Sequence, residues 1–280
     1  MGIFEGCLLA CDIDGTLLFG NFIPQRNIEK IEYFVSEGGF FSLSTGRTSV
    51  ALSDITSKIG CISPSVLANG SVIYDFDSSS AITERVLSEK ALSMVVEVIN
   101  TLHIGVEMHT ASGLYVPLRS AATDLHEQYE SMTAIFTDFK TASKDNINKV
   151  IYFLEDEKQY EILLKISEAY LCDCVFYKTS TYIGGVRQNY FEQLPKDVSK
   201  AGALSEICKI FHIKKGGFFA IGDYYNDVEM LRRADISAVP CESPDDVKNE
   251  ATVTVGSVQT GAVADFIEYL EEIFKNGQAN

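Results

Sequence analysis

No stretch of the 280 residues approaches the roughly 20 consecutive apolar positions that cross a bilayer, so the sequence offers no membrane-spanning segment. Basic charge is also scarce: 23 Lys and Arg stand against 39 Asp and Glu, a formal net charge of −16. That balance excludes nucleic acid and anionic membrane surfaces as main partners, because both are bound through a basic footprint. The N-terminus, MGIFEGCLLACDIDG, lacks the basic region of a signal peptide and runs into acidic residues after a short apolar stretch, the pattern of a first strand. Its Met-Gly start lacks the Ser or Thr that myristoylation wants at position six, where Gly6 stands. Cysteines number seven, with no framework of disulfide spacings. The C-x-C at Cys172 and Cys174 has neither a second pair nor a nearby His to complete a zinc site. Repeats, low-complexity tracts and coiled-coil heptads are missing as well. What remains is an acidic globular chain, expected in the cytoplasm with reduced thiols and with no obligate protein partner evident.

The hydrophobic fraction of 46% and the length together suffice for two domains. At both ends of the chain short apolar runs alternate with helical spacing. Cys7–Cys11 and Phe40–Ser44 read as strands, with Ile28, Ile31, Phe34 and Val35 on a helix between them. Val66–Leu67, an Asn69-Gly70 turn and Val72–Tyr74 read as a hairpin. Later, a helix over Ala203–Phe211, a strand over Gly217–Ile221 and a helix from Val228 restore the alternation, which is the signature of a parallel sheet covered on both faces. The middle of the chain has an α+β flavour, with helical spacing at Leu92, Val95, Val96, Ile99 and Leu102, then strand-like runs at Ile104–Met108, Leu114–Pro117 and Val150–Leu154. The expected division is a core of residues 1–80 and 188–280 with an inserted domain of residues 81–187. The crossings fall near Phe76–Ala81 and Gly184–Asn189, where Gly184 and Gly185 suit a hinge.

Four segments carry chemistry. In CDIDGTLL, Asp12 and Asp14 follow an apolar strand, where open parallel sheets place their ligand sites. Two carboxylates at i and i+2 can divide the work, one attacking phosphorus and the other moving a proton. A calcium loop would need a Glu at its twelfth position, and that position is Ile23. Ser44-Thr45-Gly46-Arg47 ends the next strand, where a hydroxyl and backbone N–H groups can hold phosphate oxygens and Arg47 can add a bidentate contact. In GDYYNDVEML, Asp223, Asn226 and Asp227 lie on another strand-end loop. If that loop meets the first, four carboxylates share a small volume and need a cation; a hard divalent ion such as Mg2+ answers that need. Lys200, at the start of a helix, can neutralise a transferring phosphoryl group.

In order and spacing, DIDGTL, STGR, LANGSVIYD, DVSKAGAL and GDYYNDVEML resemble the haloacid dehalogenase superfamily, specifically its Cof-type phosphatases with a large α/β cap of the C2 type. The matches span nearly the whole chain outside the insert. The resemblance implies an α/β fold with a Rossmann-like core and a mobile cap, and a Mg2+-dependent phosphomonoesterase acting on a small phosphorylated metabolite such as a sugar phosphate, a nucleotide or a cofactor-precursor phosphate. It implies that Asp12 is the nucleophile and Asp14 the acid and base. Mg2+ would be bound by Asp12, the main-chain carbonyl of Asp14 and Asp223. Thr45, Gly46 and Lys200 would hold the phosphate, with Asn226 and Asp227 in support. The chain departs from the family at Val239-Pro240-Cys241-Glu242-Ser243, where a Met-Gly-Asn-Ala turn is common. His109, Tyr115, Arg119 and Arg187 are candidates to face the substrate from the insert. A phosphomutase or phosphotransferase, or a catalytically idle metabolite-binding regulator, are the alternatives on the same fold.

Overall fold

The structure is a computed structural model and describes residues 2–60, 62–130, 132–183 and 186–277. The chain forms two compact units. The first comprises Met1–Arg47, Leu52–Ile82 and Ser199–Asn280, the second Thr48–Ala51 and Thr83–Val198.

The first unit opens with β1 (Leu8–Cys11), α1 (Gln25–Ser36), β2 (Phe40–Leu43), α2 (Ser53–Ile59), β3 (Ser65–Leu67), β4 (Val72–Asp75) and β5 (Ser80–Glu84), which runs across its boundary. β3 and β4 form the expected hairpin, Leu67 opposite Val72, around a tight turn in which Ala68, Asn69 and Gly70 all have positive φ. That conformation comes easily to Gly and Asn, and a side chain at Gly70 would run into the backbone of Ser199.

The second unit contains α3 (Glu89–Leu102), β6 (Val106–His109), β7 (Leu114–Leu118), α4 (Ala121–Tyr129), β8 (Ile135–Phe136), α5 (Phe139–Ala142), β9 (Lys149–Leu154), α6 (Glu157–Ser167), β10 (Cys174–Ile183) and β11 (Val186–Pro195). Its six-stranded sheet has the order β10-β11-β9-β6-β7-β8, antiparallel except for the β7–β8 pair. Val106, Met108, Val150, Tyr152 and Phe191 on one face pack with Met94, Val95 and Val98 of α3 and Leu163 of α6. Ala51, from the short segment 48–51, packs with Leu114, Val116 and Met132.

Two expectations need correction. Residues 188–198, assigned to the core from the sequence, lie in the second unit. β11 is a partner of both β10 and β9, and its mixed polar and apolar NYFEQL resembles core and insert strands alike. The second crossing therefore comes after Pro195, not at Gly184–Asn189. Gly184 and Gly185 themselves lie outside the described residues, and the strands flanking them pair from Ile183 and Val186.

The chain re-enters the first unit at α7 (Lys200–Ile210), followed by β12 (Phe218–Ile221), α8 (Val228–Arg233), β13 (Ile236–Val239), α9 (Asp245–Lys248), β14 (Val253–Thr254) and α10 (Ala262–Gly277). The five-stranded sheet, β14-β13-β12-β1-β2, is parallel throughout. Leu8 and Ala10 of β1 and Ala220 of β12 pack with Ala201, Leu204 and Ile207 of α7 and Met230 of α8. On the other face Phe219 meets Phe274 of α10 edge-on at 5.9 Å, while Phe4 joins Phe274 to Phe34 of α1. Burying each such ring contributes about 1.5–3 kcal/mol. Because β1 lies between β2 and β12, the three loops that leave these strands emerge side by side at the C-terminal edge, where parallel sheets bind ligands.

Candidate active site

Asp12 directly follows β1, and its N–H donates to the Ile221 carbonyl at the end of β12, which ties two site loops together at 2.9 Å. The next turn depends on Gly15. Its φ of +85° lies in the left-handed region, and a Cβ there would stand 2.3 Å from Asp223 Oδ2. Thr16, fully buried one residue on, donates its hydroxyl to Asp223 Oδ1 at 3.5 Å.

Lys200 joins the first and last motifs. Its Nζ donates to Asp12 Oδ1 and to Asp227 Oδ1, both at 2.6 Å, and all three side chains are buried. Ser199 caps α7 through its hydroxyl, which fixes Lys200 as the first residue of the helix. A cation there sits at the positive end of the helix dipole, an unfavourable place that the two carboxylates offset. Asp227 occupies the position before α8 but does not cap that helix. Its Oδ2 turns back to accept the N–H groups of Asp223 and Tyr224 at 3.1 and 3.2 Å.

Carboxylate oxygens of Asp12, Asp223 and Asp227 lie within 4.8 Å of one another, a grouping of metal-binding type that is single among the described residues. Burial pushes the Asp12 carboxyl up to about 7, with Asp227 adding to the rise and Lys200 opposing it. Asp223 is driven well above the ordinary carboxylate range by burial and by Asp12 and Asp227. Burial acts against the Lys200 charge too, but Asp12 and Asp227 outweigh it and hold the ammonium protonated more firmly than in water. One lysine thus balances three crowded carboxylates. An all-oxygen set short of positive charge fits a hard dication such as Mg2+. Both Asp227 oxygens are already engaged, which leaves Asp12 and Asp223 the better placed ligands.

The β2 loop brings Thr45, Gly46 and Arg47 to the same edge. Thr45 is buried; its N–H donates to Val66 and its hydroxyl oxygen accepts the Arg47 N–H at 3.1 Å, leaving the hydroxyl proton to donate elsewhere. Gly46 passes close to Asn69, whose side-chain atoms would lie 3.2 Å from a Cβ there. Arg47, a candidate for a phosphate contact, is paired with Asp14. Nε and a terminal nitrogen bind the two carboxylate oxygens at 2.9 and 2.6 Å, because a carboxylate three residues beyond β1 matches the planar guanidinium fork. Asn226 is half-buried in the loop between Asp223 and Asp227.

The candidates from the insert are placed within the second unit. Tyr115 donates to Asp145, Arg119 pairs with Glu127 at 3.1 Å, and Arg187 is exposed on β11. His109 is buried beside Glu107, in a group of charged residues that sequence analysis missed. Its signal was available: a Glu and a His at alternate positions of the otherwise apolar VEMH. Cys172 and Cys174 join no metal-binding group, and among the described residues no helix is long and apolar enough to cross a membrane.

Residues 9–267 match the family model described as haloacid dehalogenase-like hydrolase. Among curated relatives, the chain is 24% identical to the 5-amino-6-(5-phospho-D-ribitylamino)uracil phosphatase YwtE of Bacillus subtilis, over 94% of this chain and 97% of that one. Among solved structures, a haloacid dehalogenase-like hydrolase from Bacteroides thetaiotaomicron superposes with a TM-score of 0.84 at 20% identity, covering 94% of this chain and 99% of that one. The HAD subclass IIB sugar phosphatase BT4131 gives 0.81 at 18% identity, over 95% and 99%.

Proposed function

Since the chain belongs to the haloacid dehalogenase-like hydrolases, we propose that it releases phosphate from its substrate by way of a phosphoryl group carried on Asp12. It is a phosphatase for small phosphorylated metabolites, as its kinship implies. The observation that carries the mechanism is the buried Lys200 bridging Asp12 and Asp227, with Asp223 alongside.

In the first step an Asp12 oxygen attacks phosphorus in line, the bond to the ester oxygen breaks, and Asp14 gives its proton to the departing alcohol. In the second, water attacks the same phosphorus while Asp14 takes back a proton. The bond to Asp12 breaks, and inorganic phosphate leaves. Lys200 offsets charge on the attacking carboxylate and on the phosphoryl oxygens. Thr45 and Gly46 bind those oxygens through the hydroxyl and the backbone, Asn226 assists, and Arg47 orients the Asp14 carboxyl. Asp12, Asp223 and the main-chain carbonyl of Asp14 would hold Mg2+, whose charge neutralises the entering phosphate. Asp227 keeps Lys200 and the 222–227 loop in position. The second unit acts as the cap of this reading and discriminates among leaving groups.

The test is hydrolysis of p-nitrophenyl phosphate with and without Mg2+, followed by acid quench and mass spectrometry of the peptide containing Asp12. A phosphoryl adduct on that peptide supports the reading. Turnover with no adduct under rapid quench, and with Asp12→Asn still active, would overturn it.

A further inference from the structure

The turn between β3 and β4, within LANGSVIYD, is strained and has no task in the chemistry above. Ala68, Asn69 and Gly70 have φ of +47°, +53° and +105°, the single run of three consecutive positive-φ residues among those described. Asn and Gly adopt that conformation readily, but in alanine it brings Cβ against the following carbonyl oxygen. Such strain persists only where the surroundings hold it in place, and it gathers at functional sites.

The turn is held from two sides, both within the first unit. On one side is the β2 loop. The Ala68 N–H donates to the Arg47 carbonyl at 2.9 Å and the Asn69 N–H to the Thr45 carbonyl at 3.0 Å, while the Thr45 N–H donates to Val66 at 2.9 Å. In a planar trans peptide the N–H and C=O point in opposite directions. Drawing the Thr45 carbonyl onto Asn69 therefore aims the Gly46 N–H, in the same peptide group, away from the turn. On the other side is the start of α7. A Cβ at Gly70 would stand 2.3 Å from the Ser199 carbonyl oxygen and 2.5 Å from its carbon, where ordinary contact begins at 3.4 Å. That oxygen accepts the Ala203 N–H at 3.1 Å and closes the first turn of the helix, whose cap is the Ser199 hydroxyl. Lys200 comes next, so the helix start fixes where its ammonium meets Asp12 and Asp227.

We infer that the Ala68–Gly70 turn sets the spacing between the Thr45–Gly46 backbone and the Lys200 ammonium, with Gly70 as its positioning residue. Left-handed backbone at 68 and 69 presents two N–H groups to the loop, and the bare Cα of Gly70 lets α7 stand this close. A methyl group there would force one of the two backbones to move by about 1 Å, a displacement large enough to spoil an active-site geometry. The inference rests on the phosphatase reading in one respect: it takes Thr45, Gly46 and Lys200 as the groups that hold phosphate.

Calorimetric titration of the full-length protein with inorganic phosphate, in Mg2+, reads this spacing without turnover. Gly70→Ala should weaken phosphate binding at least about fivefold. In a Lys200→Met background no ammonium remains to be placed, and the same substitution should weaken binding less than about twofold. Wild-type protein gives a second measurement that needs no substitution. Phosphate held from both sides stabilises the turn between them, so hydrogen exchange of the Ala68 and Asn69 amides should slow at least about fivefold when it binds. Unchanged affinity in a folded Gly70→Ala protein, an equal loss with and without Lys200, or exchange at 68 and 69 that ignores phosphate would each overturn the inference. If Gly70→Ala does not fold, the exchange measurement decides. Failure of the phosphatase reading shows separately, as wild-type protein that binds phosphate with this exchange pattern yet releases it from no ester.

Discussion

Arg47 lays its guanidinium across both carboxylate oxygens of Asp14, so the proposed acid and base is oriented by a residue from the neighbouring strand's loop. Arg47→Ala should lower kcat for p-nitrophenyl phosphate about tenfold, ~1.4 kcal/mol of barrier. Arg47→Lys should not restore the rate, because a point ammonium cannot form the fork. An Arg47→Ala enzyme with unchanged kcat would assign this pair to stability alone.

Asp12→Asn should reduce kcat more than about a hundredfold, over ~2.7 kcal/mol of barrier, without unfolding the protein. Stability should move the other way. The Asp12 pKa is raised from 3.8 to about 7, so in metal-free protein folding becomes less favourable as pH rises from about 4 to about 7 and then levels off. The amide does not ionise, and thermal unfolding in chelator at pH 8 should show Asp12→Asn melting above wild type. A lower melting temperature would mean that Lys200 needs the Asp12 charge more than Asp227 and Asp223 resist it.

Chelation should abolish activity and Mg2+ restore it, with Asp223→Asn raising the Mg2+ concentration needed for half-activation by at least about tenfold. Metal titration followed by the activity and melting temperature of each protein measures both effects. Full activity in excess chelator would remove the ion from the mechanism.

Much of this site was legible because it is local. Asp12 and Asp14, Thr45 to Arg47, Lys200, and Asp223 to Asp227 each follow a strand or begin a helix, and a parallel sheet gathers such ends at one edge. What could not be read was partner choice. Nothing in STGR distinguishes a guanidinium that meets phosphate from one that meets Asp14. The position of Asp227 before α8 suggests a cap, yet its oxygens go to Lys200 and two backbone N–H groups. The extent of β11 was missed for a related reason: register with β9 and β10 lies between strands, and a mixed run such as NYFEQL fits either unit.

The buried Glu107–His126 pair predicts a pH window for the second unit. Burial alone would disfavour both charges, but each holds the other: the Glu107 carboxyl is lowered to about 2, and Glu130 and Glu107 raise His126 to about 9. The Glu107 contribution is complete above about 4.5 and lost as pH falls through about 2. That of His126 is complete below about 6.5 and lost as pH rises through about 9. Hydrogen exchange of β6 and α4 amides should therefore show greatest protection between about pH 4.5 and 6.5, after correction for intrinsic rates. Replacing His126 by Gln should cost on the order of 3 kcal/mol at pH 6 and flatten the alkaline limb. An unchanged alkaline limb in that variant would show that His126 is not the group responsible.

Residues 48–51 carry one further consequence. They belong to the second unit although they lie more than thirty positions before its main segment: Ser49 donates to the Ala111 carbonyl at 2.6 Å, and Ala51 packs with Leu114, Val116 and Met132. The unit is therefore not a single cassette. A graft that exchanges only residues 83–198 with those of a relative would pair a foreign apolar patch with the native Ala51, whereas one that carries 48–51 along keeps the patch intact. On the proposed role of the second unit, transplanting specificity between relatives should thus need both segments, since the short one packs within that unit.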